Sequence, residues 1–141
     1  MGSLNAFLHP VQVENREVVI SERFQENGKP VPFVIRPLTE EENENLIKKY
    51  TKKDKKGNEK FDQVAYSRGM VSAAVVFPDL ESAELQKSLG VLGSDKVLSK
   101  LLYVGEFAAL LQEVNELSGL DKDINDEVEE AKNCSSRAIQ S

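Results

Sequence analysis

Two kinds of hydrophobic repeat divide this chain, one of period two near its start and one close to 3.6 from residue 39 onward. Residues 17–37 alternate around Asn27-Gly28, the dipeptide that best tolerates the positive φ angles of a type I′ turn. With Glu26 facing Lys29, Phe24 faces Val31, Glu22 faces Phe33 and Ile20 faces Ile35. One face of the predicted hairpin is then apolar except at Glu22. Pro30 and Pro32 share a parity, and in this register their nitrogens point away from the partner strand, so the second strand is expected to be an edge.

The helical pattern begins at Thr39, which can cap a helix whose Glu42 completes a capping box and whose acidic first turn suits the positive helix end. Leu46, Ile47 and Tyr50 give that helix one apolar side. The stretch TKKDKKGNEK, residues 51–60, holds no apolar residue and reads as a solvated, mobile loop. A second helix is predicted through Phe61, Val64, Ala65, Val71, Ser72 and Val75, ending before Pro78. Asp79 can cap a short helix that stops at Gly90, and Ser94 or Asp95 can cap the next, KVLSKLL. Residues 101–119, LLYVGEFAALLQEVNELSG, carry Val104, Phe107, Ala108, Leu111, Val114 and Leu117 as a broad apolar face that Leu110 widens. Gly119 stands where a left-handed C-cap belongs. Ile124, Val128 and Ala131 follow at i, i+4, i+7 among six acids.

The pattern predicts a single α+β domain, an N-terminal β-hairpin packed on a bundle of about five α-helices. Residues 1–15 are expected to be a flexible arm, 17–37 the hairpin, 39–118 the helical core, 121–134 an acidic amphipathic helix and 135–141 a frayed tail. The 141 residues suffice for a core without disulfides or metal. With one cysteine, Cys134, no internal disulfide forms, and a reducing cytoplasm is the plain expectation. The start shows no basic region followed by a long apolar run, and no stretch approaches a membrane span. A net charge of −6 argues against a general nucleic-acid binder.

Candidate chemistry is thin. His9 is the lone histidine and precedes Pro10, and Cys134 has neither a neighbouring base nor a second cysteine, so no activated nucleophile or zinc cluster is expected. Asp121, Asp123 and Asn125 imitate the start of an EF-hand loop, but Asp126 replaces the obligatory glycine and Lys132 the bidentate glutamate. LGVLGSDK lacks the spacing of a phosphate loop. Glu40, Glu41 and Glu42 are explained by the helix dipole. No catalytic residue, cofactor or metal is expected. The lysines from Lys48 to Lys60 are broken by Asp54 and Glu59 and lack interleaved aromatic residues for stacking on bases.

From Gly119 to Asn133 the chain reads G-L-x-x-x-I-x-x-x-V-E-E-A-K-N, directly after KLLYVGEFAALLQEVNELSG. In this ending, and in its order of hairpin and helices, it resembles the small tail assembly chaperones of long-tailed phages and prophages of low-GC Gram-positive bacteria, the PBSX-like type. The resemblance does not reach before about Glu14. It implies a non-enzymatic protein of the bacterial host cytoplasm that binds the tape measure protein, keeps it soluble during tail assembly and is absent from the mature virion. It also implies a second partner, a longer form of the chain made by ribosomal frameshifting. The residues expected to meet the partner are Phe107, Leu110, Leu111, Val114, Ile124, Val128 and Ala131. Two rival readings are a small helical regulator touching nucleic acid through Lys48 to Lys60, and a structural phage component.

Overall fold

The computed structural model describes residues 1–120. In chain order its elements are α1 (Asn5–Leu8), β1 (Arg16–Val18), β2 (Gln25–Glu26), β3 (Lys29–Pro30), β4 (Phe33–Ile35), α2 (Glu40–Lys49) and β5 (Thr51–Lys53). They continue with β6 (Glu59–Phe61), α3 (Gln63–Ala74), β7 (Val75–Phe77), α4 (Ala83–Leu89), α5 (Val97–Leu101) and α6 (Val104–Leu117). The fold is α+β, with a hairpin first and α2 to α6 after it.

The tight turn forms as its sequence dictates, with Glu26 opposite Lys29 and positive φ at Asn27 (54°) and Gly28 (77°). Val31 N–H still donates to the Phe24 carbonyl at 2.7 Å. Beyond that point the register departs from the simple ladder: Val18, not Glu22, faces Phe33, and Arg16, not Ile20, faces Ile35. Residues 19–24 loop out on the first side, while only 31–32 separate the paired stretches on the second. The resulting offset is even, so the apolar side chains keep a common face. Val18, Phe33 and Ile35 are buried, and Ile20 and Phe24 pack against them.

The second strand is not an edge. β7 pairs antiparallel with the free side of β4, giving the order β1-β4-β7, with Val34 opposite Phe77 and Ile35 opposite Val75 across an irregularity. The prolines do not obstruct this, because Pro30 lies in β3 opposite Gln25 and Pro32 precedes β4, outside the rungs that β7 shares. β7 also shortens the helix expected to run up to Pro78. α3 ends at Ala74, and Val75-Val76-Phe77 are residues that favour a strand. The Arg36 N–H donates to the Ala74 carbonyl at 2.9 Å and marks the junction.

α2 begins with the full capping box: Thr39 Oγ1 accepts from Glu42 N–H at 3.2 Å, and Glu42 Oε1 accepts from Thr39 N–H at 3.1 Å. TKKDKKGNEK is a hairpin rather than a loop. The Asp54 carboxylate accepts from the N–H groups of Lys56 (2.8 Å) and Asn58 (2.9 Å), and Gly57 takes φ 83°. Phe61 therefore closes β6, and Asp62 caps α3 through Ala65 N–H. Ser82, not Asp79, caps α4, while neither Ser94 nor Asp95 caps α5, which a 3₁₀ turn at Ser94–Lys96 introduces. Gly90 and Gly119 end their helices with positive φ. Val71 and Ala74 of α3, Val97 and Leu98 of α5, and Leu110 and Val114 of α6 close over the sheet as one core.

Candidate partner-binding surface

The apolar side chains of α6 are mostly claimed by the protein itself. Leu110 and Val114 have 0% exposure, and Phe107, Leu111 and Leu117 pack half-buried against the same core. Leu110 lies at the centre of the buried face rather than at its border, while Val104 and Ala108 stay exposed. Of the expected partner-binding residues that are described, only Phe107 and Leu111 retain any outward area. Ile124, Val128 and Ala131 lie outside the described residues, as do the acidic helix, the tail and Cys134.

Every residue from 1 to 15 is exposed. Leu4 (70%), Phe7 (81%) and Leu8 (62%) occupy i, i+3 and i+4 around the single turn of α1, and Val11 (97%) follows outside the helix. Pro10 then stops the helix. Here a helical stripe of large apolar side chains stands in solvent, next to His9, which is exposed too.

A second outward face lies across α2 and α3. The Tyr66 hydroxyl donates to Asn43 Oδ1, and the Tyr66 ring lies 5.3 Å from that of Phe61. Thr51 pairs with Phe61 across the hairpin, and its hydroxyl donates to the Ile47 carbonyl at 2.6 Å. Ile47 and Phe61 are exposed, by 39% and 43%. α2 comes close to α3 because Gly69 has no side chain: a Cβ there would meet the Tyr50 ring at 2.6 Å. The β5–β6 hairpin projects from this face with its lysines exposed and with Lys52 directly opposite Lys60, a repulsive pairing.

Three arginines, none of which stood out in the sequence, tie the amino-terminal third to the helices. Arg23 grips Glu106 with two bonds, Nη2 to Oε1 at 2.6 Å and Nε to Oε2 at 2.9 Å, and lies 4.2 Å from the Tyr103 ring centre. Glu106 also accepts from Tyr103 N–H at 2.7 Å. These bonds, the Arg23 one foremost, hold the Glu106 carboxyl at about 2. Arg36 does the same for Glu42 at the start of α2, where the carboxyl is also about 2. Arg16 reaches Glu113 (3.1 Å) and Glu116 (3.3 Å), clamping β1 to α6. Separations of 83 to 100 residues hid the Arg23 and Arg16 pairs, whereas Arg36 and Glu42 are six residues apart.

Among the described residues no group of three or more His, Cys, Asp or Glu is placed to hold a metal ion. No described helix is long and apolar enough to cross a membrane. A cleft of about 310 Å³ beside Tyr50 and Gly69 is lined by Lys49, Asp79 and Asp95, and by Ser72, whose buried hydroxyl has no hydrogen-bond partner.

The chain matches the model of the phage XkdN-like tail assembly chaperone proteins over residues 4–132. It is 31% identical over 129 residues to the phage-like element PBSX protein XkdN of Bacillus subtilis (strain 168), covering 87% of each chain. To the uncharacterized protein YqbN of the same organism it is 33% identical over 129 residues, again covering 87% of each. The crystal structure of the protein YqbN superposes with a TM-score of 0.71 at 25% identity, over 84% of this chain and 98% of that one. The match starts at residue 4, so the amino-terminal arm, where no resemblance was expected before Glu14, is part of the family domain. The chain belongs to the family of XkdN-like phage tail assembly chaperones.

Proposed function

We propose that this protein acts, without enzymatic chemistry, by binding the tape measure protein of its phage in the host cytoplasm and keeping it soluble until the tail tube forms around it. Membership in the tail assembly chaperone family supports the general role. The observation that carries the finer reading is the uncovered stripe of Leu4, Phe7, Leu8 and Val11, inside the family match and buried by nothing among the described residues. Leu4, Phe7 and Leu8 put three apolar anchors along one side of a single helical turn, with Val11 beyond it, and such anchors are what seat a short helix against another helical surface. A tape measure protein, long and largely helical, offers such stripes, and they would aggregate if left bare.

Co-expression tests the reading. With this chain present, the cognate tape measure protein is expected in the soluble fraction and in the same affinity-purified complex, and the chain is expected to be missing from purified virions. A tape measure protein equally soluble with and without the chain, and not co-purifying with it, overturns the proposal. A chain retained in virions favours the structural-component reading instead. A longer frameshifted form would show as an overlapping reading frame just downstream in the DNA.

A further inference from the structure

The three-stranded sheet turns one face to the core and the other to solvent. Val18, Phe33 and Ile35 point inward and are buried. The residues between them point the other way, because side chains alternate across a strand. The register lines three of these up in a row: Glu17 of β1 lies opposite Val34 of β4, and Val34 lies opposite Phe77 of β7. Val34 is half-buried and Glu17 is exposed, while Phe77, Val76 and Val19, just beyond β1, are each about half exposed. An antiparallel sheet that meets water on one face ordinarily carries polar residues there. Of these five only Glu17 is polar, and it takes part in none of the ion pairs among the described residues. An apolar patch with a charge at its border marks a surface for another molecule.

The geometry narrows what that molecule is. Addition of a strand at the free edge of β7 is disfavoured: one step along β4 matches two along β7, which leaves Val76 without a residue opposite, and Pro78 follows with no N–H to offer. A second copy laid face to face on this one would bring two Glu17 carboxylates into one desolvated patch with no cation between them. The amino-terminal arm of the same chain has apolar side chains, but residues 1–15 hold no lysine or arginine and add the like charge of Glu14. What fits is a helix with an apolar stripe and a lysine or arginine at its border, laid on the sheet as helices cover sheets in layered folds.

We infer that the outer face of the sheet, formed by Val19, Val34, Val76 and Phe77 with Glu17 at its border, is a second contact surface for such a helix, whose cation Glu17 receives. The identity of the occupant rests on the proposed function: it is a helix of the tape measure protein, which meets this face as well as the arm. The two surfaces are continuous, since the arm runs directly into β1 at Arg16. They differ in what they ask of the partner. The arm stripe offers apolar contact alone, whereas the sheet face leaves Glu17 unpaired unless the helix brings a basic residue, so it selects among apolar helices.

The test compares recovery of the cognate tape measure protein on wild type, Phe77→Thr and Glu17→Lys, with the arm intact in all three and denaturation midpoints matched. Both changed residues are exposed, and Thr keeps the β-branched shape a strand accepts. If Phe77→Thr shifts the midpoint, Glu17→Lys carries the test alone. Phe77→Thr is expected to lower the recovered complex about tenfold, as loss of an aromatic anchor does. Glu17→Lys is expected to lower it about fivefold in low salt, with the deficit shrinking as salt screens the charges. Undiminished recovery with either variant, beside a wild type that binds, overturns this inference and leaves the proposed function standing. A wild type that recovers nothing overturns both. Self-association of the wild type that Phe77→Thr abolishes also overturns the inference, by giving the face to a second copy.

Discussion

α6 and the amino-terminal arm use the same residues at the same spacing and come to opposite ends. In α6, Phe107, Leu110, Leu111 and Val114 sit at i, i+3, i+4 and i+7 and turn into the core, with Leu110 and Val114 at 0% exposure. In the arm, Leu4, Phe7, Leu8 and Val11 have that spacing and each is at least 62% exposed. α6 has fourteen residues, an acidic residue fixed at its first turn by Arg23, and α3 and β1 packed against it. The arm has one helical turn before Pro10 and no buried residue. An apolar stripe thus states that something will cover it; only the remaining architecture says whether that cover is the protein itself.

The sharpest way to break the comparison is to truncate one residue from each stripe. Leu110→Ala leaves a cavity in a closed core and is expected to cost about 2–5 kcal/mol, read from a shifted denaturation midpoint at unchanged slope. Phe7→Ser, at an exposed position, is expected to stay within about 0.5 kcal/mol of wild type in the same experiment. Comparable losses in both would mean that the arm is packed and the contrast is mistaken.

Acid tests the α6 side of the comparison. Glu106 is held at about 2 against an ordinary 4.5, so its pairing with Arg23 contributes stability that is present above pH 4.5 and lost as pH falls through about 2. Glu42 titrates across the same window. Wild type is therefore expected to lose stability steadily between about pH 4.5 and 2, and Glu106→Gln to lose less across that range while starting lower. Denaturation series at several pH values check this; parallel curves for the two proteins would remove Glu106 from the account.

Much of this architecture was legible in short stretches of sequence. Thr39 with Glu42, Asn27-Gly28, Gly90 and Gly119 each specify their own backbone from neighbours a few residues away, and each does so in the structure. What was not legible depends on distant partners. Val75-Val76-Phe77 fit the end of a helical repeat until β4 offers a free edge, and the looped-out residues 19–24 have no local signal that outweighs simple alternation. The lysine hairpin was readable in principle, since Asp54 followed by Gly57-Asn58 is turn chemistry, but charge density masked it. For the candidate surface, the spacing from Leu4 to Val11 was visible, yet Pro10 breaks the pattern before it becomes a helix long enough to notice. Leu110 and Val114 were recognisable as apolar, but their orientation toward the core follows from packing that α3 and the sheet supply.

The central claim, that the exposed arm is the surface this chaperone presents to its partner, has a direct measurement. The tape measure protein is co-expressed with wild type and with a Leu4→Ser, Phe7→Ser, Leu8→Ser triple variant, and the co-purified amount is quantified after both chaperones are shown to have the same denaturation midpoint. The account predicts a loss of about tenfold or more in recovered complex for the triple variant, since removing buried apolar anchors costs more than 1.4 kcal/mol in sum. Undiminished recovery with the triple variant would contradict it and return the partner to another face of the molecule.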